Sequence, residues 1–292
     1  MTSYDLLISC ASWEERSEKS ILFHQEKNQF DWLLLFGVEE FSHLYGKTYF
    51  DKEKLINGEI QYISSFDDVA TWKRIQNLFD ENNIYQKNVL FDVSTMPRYL
   101  IWYLLHFLVS KTNQITYCYF SPEKYEECDW LTEEPMSPRL VLKHSGIHLP
   151  NRNTILVVQS GFDTERVSQL INVYEPEKVI LGVQTGEQLN NVSKNLKRHK
   201  EILNYQEIEH FPINAFGKDH GYSAIEEKVL QYKESKNIIM ASFGPKLVAI
   251  EMFKINQKIP EAGLVDVPVR NYNQRYSLGI NLDSLQKGSI ES

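Results

Sequence analysis

The stretch Asn88–Leu108, NVLFDVSTMPRYLIWYLLHFL, changes character in its middle. Asn88 to Asp92 is an apolar run of strand length, a short polar turn follows, and the segment from Tyr99 is apolar on every side and long enough for a buried helix. A buried strand leading at once into a buried helix is the building step of a parallel sheet covered on both faces. Within the turn, Ser94 and Thr95 are helix-capping residue types, Pro97 suits a first helical turn because it has no N–H to leave unpaired, and Arg98 carries a planar, permanent charge. Free N–H groups at a helix start attract anions, so this turn, with Asp92 at the strand end, predicts a phosphate-binding site.

The step recurs. NVLFDVSTMPR resembles NIIMASFGPK, with Pro245 − Pro97 = 148, and YDLLISCASWEERSEKSI resembles TILVVQSGFDTERVSQLI, with Arg166 − Arg16 = 150. FDWLLLFGVEE resembles EKVILGVQTGE (Gly182 − Gly37 = 145), IQYISSF resembles YQEIEHF (Phe211 − Phe66 = 145), and ITYCYFSP resembles GLVDVPVR. Five segments in one order at nearly one spacing predict an internal duplication. The expected fold is α/β: two tandem Rossmann-like units with parallel sheets, a pseudo-dimer, over residues 1–121 and 151–280. A connector with a small hairpin (RLVLKHSGIHLP) is expected over 122–150, and a loose polar tail over 281–292. Helical periodicity marks Phe66–Asn83, Gln188–Asn204 and Tyr222–Ser235.

Composition narrows the function classes. The 292 residues are 42% hydrophobic and 24% charged, an ordinary globular balance. Three scattered cysteines, Cys10, Cys118 and Cys128, give no disulfide framework, and the opening MTSYDLLISC lacks a charged leader before an apolar run. A cytoplasmic location is expected. The apolar run Tyr99–Val109 is 11 residues, about half of what a bilayer requires, so no membrane association is expected. A net charge of −8 argues against broad duplex binding, which needs basic surface to displace counterions.

Ligands of open parallel sheets bind beyond the carboxyl ends of the strands, where strand order reverses. The turns after the first and fourth strands of each unit meet that edge. They supply Ser12 and Arg16, then Asp92, Ser94, Thr95 and Arg98, in the first unit, and Ser160, Asp163 and Arg166, then Ser242, Gly244 and Lys246, in the second. Ser12 and Glu15 also match a capping box. Arg270 and Asn271, with Tyr272 and Arg275, group cation, amide and aromatic near the end of the last strand, a set able to stack and hydrogen-bond a base. Asp92 and Glu15 are the candidate catalytic carboxylates. Asp219-His220 forms a possible acid–base pair in a loop. His144, His148 and Cys128 lack the paired cysteines of a structural zinc site, so neither metal nor cofactor is expected. Hydrolase-elbow and P-loop patterns do not occur.

The turn Asp92-Val93-Ser94-Thr95-Met96-Pro97-Arg98, following a fourth strand, resembles that of the CARF family, the CRISPR-associated Rossmann fold. Asp92, Ser94, Pro97 and Arg98 fit the family's pattern, Thr95 and Met96 stand where it usually has glycines, and Ser242, Gly244, Pro245 and Lys246 fit in part. Two such units in one chain are similar to the SAVED domains of antiviral signalling. The resemblance implies binding of a phosphorylated nucleotide or a short, cyclic or linear, oligonucleotide between the halves, and a separate effector protein as partner. The opening YDLLISCASWEERS is similar to the start of TIR domains, but their later Trp-Cys-x-x-Glu segment has no counterpart, so this likeness is read as convergence on a common turn. Two alternatives stand beside the sensor: a nucleotide-degrading N-glycosidase or phosphoribosyl-transfer enzyme using Asp92 or Glu15, and a scaffold subunit.

Overall fold

A computed structural model describes residues 2–45, 60–109, 111–126, 130–185, 193, 197, 199 and 208–290. The chain divides into two compact units: Met1–Glu127 with Gln274–Ser292, and Cys128–Asn273. The first contains β1 (Thr2–Cys10), α1 (Glu15–Lys27), β2 (Asn28–Val38), β3 (Ile60–Ile63), α2 (Asp68–Glu81), β4 (Asn88–Asp92), α3 (Arg98–Val109), β5 (Gln114–Tyr119) and β6 (Lys124–Tyr125). The second contains β7 (Thr132–Pro135), β8 (Arg139–Leu140), β9 (Thr154–Gln159), α4 (Thr164–Tyr174), β10 (Lys178–Gln184), β11 (Ile208–Ile213), α5 (Tyr222–Tyr232), β12 (Asn237–Ser242), α6 (Leu247–Lys258), β13 (Gly263–Asp266) and β14 (Val269–Tyr272). The chain then returns to the first unit with β15 (Ser277–Leu278) and β16 (Gln286–Ile290).

Each unit has a six-stranded sheet, ordered β16-β5-β4-β1-β2-β3 in the first and β11-β10-β9-β12-β13-β8 in the second. All neighbours are parallel except β16 on β5 and β8 on β13. Both sheets therefore carry the doubly wound order 3-2-1-4-5, and strand order reverses between β1 and β4 and between β9 and β12. Apolar side chains on both faces drive this: Leu6–Ile8, Val89–Phe91 and Leu156–Val158 are all 0% exposed.

Register sharpens the duplication. Phe36 pairs with Cys10 and Leu181 with Val158, so the second strands are offset by 181 − 36 = 145 and the first by 158 − 10 = 148. Phe91 pairs with Ile8 and Ile239 with Leu156, which gives the fourth strands 239 − 91 = 148 and keeps Ser94 opposite Ser242 in the alignment. The third strands correct the sequence reading. Gly37 pairs with Tyr62 and Gly182 with Phe211, so by register Tyr62, not Phe66, is the counterpart of Phe211. A Cβ at Gly37 would lie 2.7 Å from Ile60 and 3.1 Å from Tyr62, and one at Gly182 would lie 2.1 Å from Ile213 and 3.1 Å from Phe211. Both glycines make room for side chains of the adjacent strand.

Two further expectations change. The hairpin at RLVLKHSGIHLP does not form: β8 pairs antiparallel with β13, and Ile147 N and Leu264 N donate to the carbonyls of Glu261 and His144 at 3.1 and 2.8 Å. The open edge of β13 offers unpaired backbone groups, and this segment satisfies them. The polar segment after Asn281 does not trail, because β16 pairs with β5 from Ile115 to Tyr119 and covers that edge. The expected helix Gln188–Asn204 and Cys128 lie outside the described residues. Among the described residues, no helix is long and apolar enough to cross a membrane.

Two buried histidines make the second unit acid-sensitive. His144 Nδ1 faces Asn256 Oδ1 at 2.6 Å and His220 Nδ1 faces the Ala215 carbonyl at 2.8 Å, and burial lowers the pKa of both. The unfolded chain takes up these protons near the ordinary histidine value of about 6.5, and the folded chain only at lower pH. Stability is therefore complete above that value and falls as pH drops towards the folded values, by up to about 1.4 kcal/mol per pH unit per group. A melting series from about pH 8 to about pH 5 should be flat and then decline below about pH 6.5, less steeply in His220→Asn; a Tm that rises on acidification contradicts the assignment.

Candidate functional site

In the first unit the two turns at the switch point are tied together by their own side chains. Thr95 Oγ1 donates to the Cys10 carbonyl at 2.7 Å, so the turn after β4 is tied to the end of β1. Ser94 Oγ accepts from Phe120 N at 2.9 Å, and Asp92 Oδ1 accepts from Ser94 N at 2.9 Å. Ser17 Oγ donates to the same Cys10 carbonyl at 2.8 Å and accepts from Ser12 N at 3.2 Å. The capping box does not form: α1 starts at Glu15, its N-cap is Glu14, and Ser12 Oγ accepts from Glu14 N at 3.3 Å. Two residues of turn separate Ser12 from the helix, which puts its hydroxyl out of register. Glu15 pairs instead with Lys19 at 2.5 Å on a half-exposed helix face.

Arg16 is 4% exposed. Its Nε donates to Glu14 Oε2 at 3.0 Å, one terminal nitrogen also meets Glu14, and the other donates to the Phe120 carbonyl at 3.0 Å. Ser277 of β15 donates to the same Glu14 carboxylate. Burial alone would lower the Arg16 pKa, but Glu14, with Tyr119 and Tyr125, holds it above the ordinary value. Arg98 opens α3 in a partly exposed position.

Asp92 is 1% exposed and lies among His24 of α1 and Cys118 of β5, both 0% exposed. Burial opposes its charge, yet hydrogen bonds and charge from His24, together with Ser94, keep its pKa below the usual carboxylate value. Burial, reinforced by Asp92, pushes the Cys118 thiol well up. His24 and Cys118 stand 94 residues apart in sequence, and no local pattern marks them as partners.

The second unit builds its turns differently. Asp163 caps α4 by accepting from Arg166 N at 3.3 Å, while its Oδ2 accepts from Arg166 Nε at 2.6 Å and from Thr132 Oγ1 at 2.8 Å. The Arg166 guanidinium lies over the Phe243 ring at 4.8 Å. Burial opposes its charge, but Asp163, Tyr272 and Asp266 raise its pKa. Ser242 Oγ and Gly244 N both donate to Gln159 Oε1, at 2.7 and 3.1 Å, and Ser160 N donates to the Gly182 carbonyl at 2.8 Å. The turns pass back to back, since a Cβ at Gly161 would lie 2.3 Å from the Phe243 carbonyl oxygen and one at Gly244 2.7 Å from that of Ser160. Lys246 occupies the N-cap position of α6.

Among the described residues, buried polar atoms at this end of the second sheet that find no hydrogen-bond partner include Gln159 Nε2, Gln184 Nε2 and Thr164 Oγ1. Gln159 and Gln184 end the adjacent strands β9 and β10, and Thr164 opens α4. The orientation of both amides is fixed, because Gln159 Oε1 accepts from Ser242 and Gly244, and Gln184 Oε1 accepts from Ala215 N at 3.1 Å. Sequence reasoning passed over these residues, although the repeated Val-Gln ending of two apolar strands, LVVQ and LGVQ, is a visible signal.

Arg270 and Asn271 stand apart from this set. They lie in β14, which pairs with β7 in a two-stranded ribbon rather than extending the main sheet, and both face the exposed Glu134, at 3.9 and 3.4 Å. The chain leaves the sheet at Asp266, so they do not sit at a strand end of it. Asp219 and His220 are not joined as an acid–base pair by their hydrogen bonds: Asp219 accepts from Gly221 N and Ser223 N, and His220 faces Ala215.

No protein-family model matches the chain, and no curated protein matches it. Among solved structures it is similar, over 90% of its length and 96% of the other chain, to a universal stress protein from Archaeoglobus fulgidus DSM 4304, at 12% identity and a TM-score of 0.27. Over 88% of its length and 59% of the other chain it is similar to the ketoreductase from the first module of phoslactomycin biosynthesis in Streptomyces sp. HK803, at 9% identity and a TM-score of 0.26. Neither likeness is close enough to inform function, which rests on the chemistry of the turns.

Proposed function

We propose that this protein binds a phosphorylated nucleotide or short oligonucleotide, and that the switch point of the second unit holds it. The observation that carries this reading is the set of buried donors that find no partner among the described residues, Gln159 Nε2, Gln184 Nε2 and Thr164 Oγ1, at the carboxyl ends of β9 and β10 and the start of α4. A buried donor left unpaired costs about 1–3 kcal/mol, and a ligand rich in acceptor oxygens removes that cost. Lys246 at the head of α6 adds a cation where the helix dipole already favours an anion. Gly161 and Gly244 keep the backbone low at the same place. A role as signal sensor in antiviral defence, with a separate effector protein, extends this reading along the CARF resemblance.

Binding is favoured over cleavage because both candidate carboxylates, Asp92 and Glu15, belong to the first unit rather than to the residues of this site, and Glu15 is paired with Lys19. A thermal-shift and calorimetric screen of mononucleotides and linear and cyclic oligonucleotides tests the proposal. A true ligand at a hundred times its Kd adds about 2.7 kcal/mol of stability. Lys246→Ala should weaken that binding by about tenfold or more, the loss of one charge-assisted hydrogen bond. A ligand recovered chemically altered would favour the enzyme reading, and the absence of any shift would leave the scaffold.

A further inference from the structure

His24 from α1, Asp92 from the end of β4 and Cys118 from β5 meet inside the first unit. His24 Nε2 lies 3.5 Å from Asp92 Oδ2 and 3.3 Å from Cys118 Sγ, and the three atoms lie within 4.8 Å of one another. Around a tetrahedral ion with bonds of about 2.0–2.1 Å to nitrogen and oxygen and about 2.3 Å to sulfur, those two separations are about 3.4 and 3.6 Å. The two separations from His24 Nε2 suit one shared ion.

Protons alone serve this cluster poorly. One proton on Nε2 cannot reach both Asp92 and Cys118, and the fully enclosed Asp92 Oδ2 meets His24 Nε2 only at 3.5 Å, a long contact for a buried carboxylate. An ionised oxygen in that state is expensive unless a cation meets it. The fold does not demand polar groups here, as the second unit shows. There Met240 pairs with Leu264 where Asp92 pairs with Cys118, and the arginine offset places Tyr174 at the position of His24 (24 + 150 = 174). Met240 and Leu264 are 0% exposed, and Tyr174 packs against that unit's apolar cluster. The same architecture is thus filled by apolar side chains in one unit and by three metal-ligating types in the other.

A ligating imidazole needs one change in its surroundings. His24 Nδ1 lies 3.3 Å from Asn28 Nδ2, an amide donor, so metal binding requires that amide to turn over. With that amide turned so that its oxygen accepts the Nδ1 proton, Nε2 presents a lone pair, which is how second-shell partners orient histidine ligands. Asp92 Oδ1 is held separately by Ser94 N.

We propose that the first unit binds one divalent transition metal of the zinc class through His24 Nε2, Asp92 Oδ2 and Cys118 Sγ. Cys118 releases its thiol proton to solvent as the metal–sulfur bond forms. The ion joins α1, β4 and β5 directly beneath the Ser94–Arg98 turn. The mixed nitrogen, oxygen and sulfur set selects zinc-like ions over magnesium or calcium. Sequence spacing conceals the site, because its ligands come from three distant segments and include only one cysteine.

The test uses the full chain without an affinity tag, purified without chelator and assayed by elemental mass spectrometry, then refolded with Zn²⁺ or Co²⁺. Near one equivalent of zinc per chain is expected, with a higher Tm than the chelator-treated protein and a thiolate-to-cobalt charge-transfer band in the cobalt form. Cys118→Ala should lose the band and most of the metal. The double variant Asp92→Asn/Cys118→Ser, close in volume to the original pair, should fold with little metal and no response to chelator. A folded wild-type protein that neither carries nor takes up stoichiometric metal overturns the proposal. So does metal retained unchanged in both variants.

Discussion

Asp163→Ala is expected to destabilise the second unit by about 3–5 kcal/mol, a fall in Tm of roughly 6–20 °C. Asp163 and Arg166 are a buried pair with side chains 1% and 4% exposed, and the carboxylate does three jobs at once. It neutralises the guanidinium, caps α4 through Arg166 N, and receives the Thr132 hydroxyl from β7. Removing it leaves Arg166 charged against the Phe243 ring, which offers about 0.5–2 kcal/mol and no hydrogen bond. Asp163→Asn should fall between, because the amide still caps the helix while the charge is lost. Asp163→Ala/Arg166→Leu should recover most of the loss, since an apolar pair of similar volume tolerates burial better than one orphaned charge. Chemical denaturation of the four proteins checks the order; a loss under about 1 kcal/mol in Asp163→Ala would show that Arg166 is not held by this pair.

The same pair explains what the sequence could and could not say. The repeated arginines were visible as Arg16 and Arg166, and their residue type suggests phosphate contacts. In the structure each meets an acid of its own turn, Glu14 two residues before and Asp163 three before. The repeat therefore records a shared way of fixing the first turn, and only pairing geometry reveals it. Strand composition carried further. Segments buried on both faces advertise themselves by unbroken apolar runs, so the two parallel sheets were legible, whereas β8 and β16 are short, polar edge strands whose pairing depends on distant partners. Register was legible at glycine: Gly37 and Gly182 were matched correctly, but the aromatic beside them was placed four residues late, at Phe66 instead of Tyr62. Turn residues announced themselves by type. Gln159, Gln184 and the His24–Asp92–Cys118 cluster did not, because burial and missing partners are properties of three dimensions.

Trp102→Ala should cost the first unit about 3–5 kcal/mol, the usual range for deleting a fully buried tryptophan. Trp102 is 1% exposed and heads the fully enclosed side chains by volume. It sits in α3, where Tyr99–Leu105, Phe107 and Leu108 are all buried, so no outward face lets the helix shift to fill the void. The α2 side is fixed as well, with Trp72 against Tyr103 at 5.3 Å and Phe107 at 4.7 Å. Because Arg98 is the first residue of α3, the seating of this helix sets the turn before it, including the bonds from Thr95 to Cys10 and from Phe120 to Ser94. Hydrogen exchange in the variant should therefore accelerate in β4 and β5 as well as in α3. Trp102→Phe, which fills most of the space, should lose less. Added indole should restore part of the Tm of Trp102→Ala, as an apolar cavity accepts an aromatic guest. If the alanine variant instead melts within about 1 kcal/mol of the wild type, α3 is not the rigid support that the Ser94–Arg98 turn requires.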